Sequence, residues 1–196
     1  LNSTLVAENF YLNEEYEKAQ KILKNFDKKY EFYYWFRVKK EAQIIIKDKG
    51  YDEGINFLSL KFSKIKNPNV KMVFDIANFY KNSKNYEKAI EYYTEIISSL
   101  DDNSEIKSDL LYRRGGSYER LGNFQKADED LKYSLRINPD DAYVLNYLAY
   151  SWLERDYKID EAMRMLEKAY ALRSNDPYIC LLYTSDAADE LCCVDL

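Results

Sequence analysis

The sequence predicts an all-α chain: a row of about five helix–turn–helix units, and so about ten antiparallel helices. Three observations predict it. Small residues recur at a fixed long period, each in the same frame of bulky neighbours. Polar turns fall midway between them. Helix breakers are scarce, with five glycines and three prolines in 196 residues, and the prolines lie between units.

The repeat shows first in Tyr16-Glu-Lys-Ala19, Tyr51-Asp-Glu-Gly54, Tyr86-Glu-Lys-Ala89, Phe124-Gln-Lys-Ala127 and Ile159-Asp-Glu-Ala162, whose small residues are 35, 35, 38 and 35 apart. Upstream of each stands another small residue, Ala7, Ala42, Ala77, Gly115 or Ala149, at a gap of 12, 12, 12, 12 and 13. A bulky residue follows each upstream one at +3 (Phe10, Ile45, Tyr80, Tyr118, Trp152), and another follows each downstream one at +4 (Leu23, Leu58, Tyr93, Leu131, Leu166). Offsets of three and four share one helical face. The small residue lets two backbones approach and the large one fills the groove beside it. A gap of 12 is too long for one face of one helix, and polar segments interrupt it: Asn13-Glu-Glu15, Asp48-Lys-Gly50, Ser83-Lys-Asn85, Gly122-Asn123 and the longer Glu154–Lys158. Each unit is therefore helix A, a turn and helix B. The units lie near 1–33, 34–68, 69–106, 107–140 and 141–177, with Pro68, Pro139 and Pro177 ahead of the next helix A.

Composition narrows function. Charged residues are 32% and hydrophobic ones 46%, the balance of a folded chain rather than a disordered one. The absence of histidine removes the usual neutral-pH acid/base and the commonest zinc ligand. No glycine-rich phosphate loop occurs, and no run approaches the length of a membrane-spanning helix. No catalytic, cofactor-binding or metal-binding residue is expected. Twenty tyrosines fit a repeat that packs an aromatic residue in each helix.

The last 17 residues break from this pattern. They hold all three cysteines, Cys180, Cys192 and Cys193, and four acidic residues with no basic one. The string Cys180 to Glu190 resembles translated adapter DNA from transposase-made sequencing libraries, so 180–196 is expected to be a non-native tail. The net charge of −5 then falls to −1 for residues 1–179, because four of the 34 acidic residues leave with the tail. No cysteine chemistry remains. The start at Leu1, without methionine, points to a truncated fragment, and cytoplasmic and bacterial periplasmic or outer-membrane-associated locations both stay open.

The pattern resembles the tetratricopeptide repeat (TPR), which has a period of about 34 residues and a W-x2-L-G-x2-Y…A-x3-F…P signature. Unit four matches best, through Gly115, Tyr118, Ala127, Leu131 and Pro139. Unit two departs most, since Gly54 stands for the usual alanine. The string from Asn146 to Ile179 is similar to a segment common in large bacterial TPR proteins, some of them lipid-anchored envelope adaptors. The resemblance implies an α-solenoid with a right-handed superhelix, held by packing at Ala7, Ala19, Ala42, Gly54, Ala77, Ala89, Gly115, Tyr118, Ala127, Ala149, Trp152 and Ala162. Pentatricopeptide repeats, which read RNA, share the period but lack this small–12–small pattern and are basic. No nucleic-acid partner is therefore expected, although Tyr30–Phe36 with Arg37, Lys39 and Lys40 has an aromatic and basic character.

In such a solenoid the ligand lies on the concave face lined by the A helices. Groove positions are expected at Lys39, Gln43, Lys47, Lys71, Phe74, Asn78, Lys81, Tyr112, Glu119, Tyr143, Asn146 and Tyr150. The lining suits an extended peptide or a helix of another protein, acidic near units two and three and with an apolar anchor near unit five. A lysine–asparagine carboxylate clamp is incomplete, because Lys39 is paired with Gln43, Asn78 with Phe74, and Asp75 stands where an amide is wanted. The function implied is that of a protein-binding adaptor or scaffold, not an enzyme. The alternative is a non-catalytic TPR region of a larger enzyme or of an envelope protease or secretion complex.

Overall fold

The computed structural model describes residues 2–24, 31–102, 104–177 and 179. The expectation for 180–196 lies outside them. Among the described residues there are ten α-helices and no strand: α1 (Asn2–Leu12), α2 (Tyr16–Lys24), α3 (Glu31–Lys49), α4 (Tyr51–Phe62), α5 (Val70–Asn82), α6 (Tyr86–Ser98), α7 (Glu105–Arg120), α8 (Phe124–Ile137), α9 (Ala142–Leu153) and α10 (Ile159–Leu172). The chain divides into two compact units, 1–92 and 93–196, with the division inside α6.

Four of the A-to-B turns use one device. At each, a residue of positive φ ends the first helix: Glu14 (61°), Lys84 (64°), Gly122 (73°) and Asp156 (51°). The next N–H reaches back to the carbonyl of Phe10, Tyr80, Tyr118 or Trp152 at 2.8–2.9 Å. This is the Schellman closure, which satisfies the orphan carbonyls of a helix end. The accepting residues are the bulky ones at +3, so one position both fills the groove and ends the helix. Only Gly122 of the four residues is free of the Cβ penalty of left-handed backbone, about 1–2 kcal/mol. Gly122→Ala is expected to lower stability by about 1 kcal/mol, and Lys84→Gly to raise it by a smaller amount. Paired chemical melts of the two variants check this.

In the first unit α1 packs on α2 and α3 on α4. Ala7, Ala19, Leu23 and Ile44 form one buried cluster; Trp35, Val38, Ala42, Leu58, Met72 and Ile76 form another. An aromatic run joins α3, α4, α5 and α6. Trp35 meets Phe62 at 5.6 Å, Phe62 meets Tyr92 at 5.8 Å, and Tyr92 stacks on Tyr80 at 5.7 Å. Gly54, the departure from the family pattern, has a steric cause. A Cβ there would lie 2.2 Å from Ile46 Cγ1 and 3.0 Å from the Ala42 carbonyl oxygen, so α3 and α4 approach too closely for alanine.

In the second unit α7 packs on α8 and α9 on α10. Leu131, Val144, Leu148, Ala149, Trp152, Ala162 and Leu166 form its centre. Ser108 and Ser134 are buried in the α7–α8 seam, each donating to the other's backbone carbonyl, at 3.1 and 3.0 Å. Arg114 of α7 grips Asp130 of α8 with two parallel bonds of 2.7 Å. The connection from α6 to α7 is tied down by Lys107, which is 7% exposed. Its ammonium donates to Asp102 at 2.6 Å and to the Leu100 carbonyl at 3.3 Å, and Tyr133 donates to the same carboxylate at 3.0 Å.

Hydrogen bonds from Lys107 and Tyr133 hold the Asp102 carboxyl below its ordinary pKa. A depressed carboxylate contributes stability in full above its unfolded value, about 3.9, and loses it as pH falls through the lower folded value. An NMR titration of Asp102 is expected to show that low value, and Lys107→Met should move it up.

Candidate functional site

The first unit holds a cleft of about 330 Å³ lined by Tyr11 of α1, Lys39, Gln43, Ile46 and Lys47 of α3, Tyr51 of α4, and Asp75, Asn78, Phe79 and Asn82 of α5. The helical period builds it. Residues 39, 43 and 47 share one face of α3, and 75, 78 and 82 share one face of α5. A smaller, mostly apolar cavity of about 140 Å³ adjoins it, lined by Trp35, Phe36, Lys39, Asn69, Lys71, Met72 and Asp75.

Lys39 and Asp75 border both cavities and form an ion pair at 2.7 Å. The Trp35 indole N–H donates to the same carboxylate oxygen at 3.0 Å, and Lys71 lies 3.9 Å from the other oxygen. Lys39 is thus not a bare cation awaiting a ligand, as an acidic-ligand groove would have it; its charge is matched. Asp75, which the clamp pattern marked as a mismatch, is the partner. Gln43 Oε1 is buried without a hydrogen-bond partner. Lys47 sits at the far end of the cleft, and among the described lining residues there is no carboxylate besides Asp75. Phe74 and Lys81 are half-buried on α5 and line neither cavity. Sequence reasoning passed over Tyr11 and Tyr51, which close the cleft from α1 and α4. Tyr51 opened a repeat string, which marked it for packing rather than for a site.

A hollow of about 590 Å³ lies between α4 and the α5–α6 turn. Its charges, Asp52 and Glu87 against Lys84 and Lys88, balance, and Lys88 is bound to Glu91 at 2.6 Å.

In the second unit the candidate residues join a network. Tyr112 packs edge-on against Tyr147 at 5.6 Å, and Tyr147 donates to Glu119 at 3.0 Å. Burial, with the Glu119 carboxylate beside it, raises the Tyr147 phenol above its usual pKa. Tyr143 donates to Asp176 at 2.7 Å, with Arg173 over its ring at 5.1 Å. Tyr150 is half-buried on α9. Asn146, expected in the groove, is instead fully buried, and neither of its amide atoms has a partner. Its offset matched a groove position, but the neighbours that cover it are set by packing that an offset does not carry.

The packing positions are closed to solvent. Ala19, Ala42, Ala77, Ala89, Ala127, Ala149 and Ala162 are 0% exposed, as is Trp152, and Ala7 is 3% exposed. Gly54 and Gly115 are buried in α4 and α7. Tyr118 is half-buried under Arg114 and Lys126. Among the described residues no helix is long and apolar enough to cross a membrane, and no group of three or more His, Cys, Asp or Glu side chains could hold a metal ion.

Two stretches match the tetratricopeptide repeat family, residues 70–99 and 108–141. A TPR repeat-containing protein of Pseudomonas aeruginosa is 24% identical over 140 residues, covering 71% of this chain and 23% of that protein. One from Methanocaldococcus jannaschii is 35% identical over 92 residues, covering 46% and 16%. The chain thus spans less than a quarter of the curated relatives it matches. Among solved structures, a MamA double mutant aligns with a TM-score of 0.67 at 14% identity, covering 89% of this chain and 94% of that one. The pilF protein of Pseudomonas aeruginosa aligns with a TM-score of 0.66 at 14% identity, covering 96% and 84%. Likeness at such identity shows the fold alone. With helix pairs closed by one recurring turn, two repeats matched directly and relatives of the same kind, the chain is a helical-repeat protein that carries tetratricopeptide repeats over residues 70–99 and 108–141.

Proposed function

We propose that this chain is a non-catalytic protein-interaction scaffold, and that the cleft between α1, α3 and α5 receives a segment of a partner protein. The repeat family supports the first part, since stacked helical repeats serve as extended binding surfaces. The observation that carries the second is the cleft itself: an amide-rich wall of Gln43, Asn78 and Asn82 beside Tyr11 and Tyr51, with the Lys39–Asp75 pair at one end. Amides both donate and accept, which suits a peptide backbone. Tyrosines supply contact area at little conformational cost.

A photo-crosslinking residue placed at Tyr51 or Asn82 of the full chain, expressed in its native host, tests this. Mass spectrometry is expected to find one protein linked from both positions and not from Glu167 on α10. Linkage from Glu167 alone would overturn the cleft reading.

A further inference from the structure

The cleft and the apolar cavity share the Lys39–Asp75 pair, so they are successive parts of one trough between α3 and α5. Along α3 the lining runs through Phe36, Lys39, Gln43 and Lys47, one face over three turns. The two ends differ chemically. Trp35, Phe36 and Met72 wall the apolar end. At the other end Lys47 and Asn82 line the cleft, and among its described lining residues Asp75, already holding Lys39 at 2.7 Å, is the one carboxylate.

Resting on the cleft reading above, we propose that this trough selects an extended peptide of a partner protein by two points: an apolar side chain in the Trp35–Phe36–Met72 cavity, and a carboxylate about five residues away at Lys47. The spacing follows from helix and strand geometry. Phe36 and Lys47 are eleven positions apart on α3, about 16 Å at 1.5 Å per residue. An extended chain covers that in about five residues at 3.3 Å each. A helical ligand would need about eleven. Two further features favour the extended form. Asn78 and Asn82 are one turn apart on α5, about 6 Å, which is close to the two-residue repeat of an extended backbone. An ammonium has three donors, so Lys39 can hold Asp75 and still meet a peptide carbonyl crossing above it. The carboxylate end is set by charge complementarity, since an acidic side chain there meets Lys47 without displacing Asp75.

The experiment pans a display library of random peptides of about sixteen residues, long enough for either spacing, against the full chain. The best peptide is then measured by fluorescence anisotropy against the parent chain and Lys47→Glu. The expected enrichment is an apolar residue and a Glu or Asp about five apart. Lys47→Glu, an exposed change that leaves the core alone, is expected to weaken that peptide at least about tenfold, and a Glu→Lys version of the peptide should recover the loss. Enrichment at about eleven overturns the extended form. Peptides that bind without a preferred spacing, or unaffected by Lys47→Glu, overturn the two-point code while the Tyr51 crosslink still supports the cleft. Failure of both the panning and the crosslink overturns the cleft reading itself.

Discussion

Asp130→Ala is expected to cost about 3–5 kcal/mol, because it strands a guanidinium inside the α7–α8 seam. The Arg114 and Asp130 side chains are 16% and 9% exposed, and both bonds between them are 2.7 Å long. Thr94, at 3.0 Å from Arg114, cannot replace a carboxylate. The cost arises from the unpaired charge rather than from the lost pair. The double variant Arg114→Met with Asp130→Leu should therefore regain most of it. Urea melts of the single and double variants check this, and a double variant as unstable as Asp130→Ala alone would refute it.

Trp152→Ala is expected to cost a similar amount, about 3–5 kcal/mol. Trp152 is 0% exposed at the centre of the second unit's core. Tyr157 meets it edge-on at 5.3 Å, and Lys132 and Lys158 approach its ring at 4.9 and 5.0 Å. Alanine would leave a cavity that rigid helices refill only in part. Trp152→Phe is the informative control. The indole N–H is buried without an acceptor, so phenylalanine loses volume and weakens the cation contact but removes an unpaired donor. It should cost far less than alanine in the same melts.

The helix pairs were legible because they rest on local periodicity. Ala42 and Leu58, or Gly115 and Leu131, lie at helical offsets from a turn that polar residues mark. What stayed illegible depends on contacts between distant positions. Asp75 looked like a misplaced acid until α3 brought Lys39 and Trp35 to it. Lys107 would pass for a solvated lysine, yet it is buried because the carbonyl of Leu100 and the carboxylate of Asp102 converge on it. Asn146 shows the converse: its offset predicted a groove position, yet the residue is fully buried, because offsets give a direction and not what lies there. The polar segments around Glu14 and Lys84 marked turns, but not the left-handed backbone of these two residues, because the helix-end closure imposes a conformation that their side chains disfavour.

The serine exchange between α7 and α8 bears on a hazard peculiar to self-similar chains. Helices built on the same alanine frame are nearly interchangeable as partners, and repeat proteins misassemble by pairing the wrong copies. Ser108 and Ser134, with Arg114 and Asp130 further along the same seam, make that pairing distinguishable from the others. If α7 met another B helix, a hydroxyl and a guanidinium would be buried with nothing to answer them, at about 1–3 kcal/mol for the hydroxyl and more for the charge. The polar bonds therefore act as an address, adding little to the strength of the seam and much to the choice of neighbour.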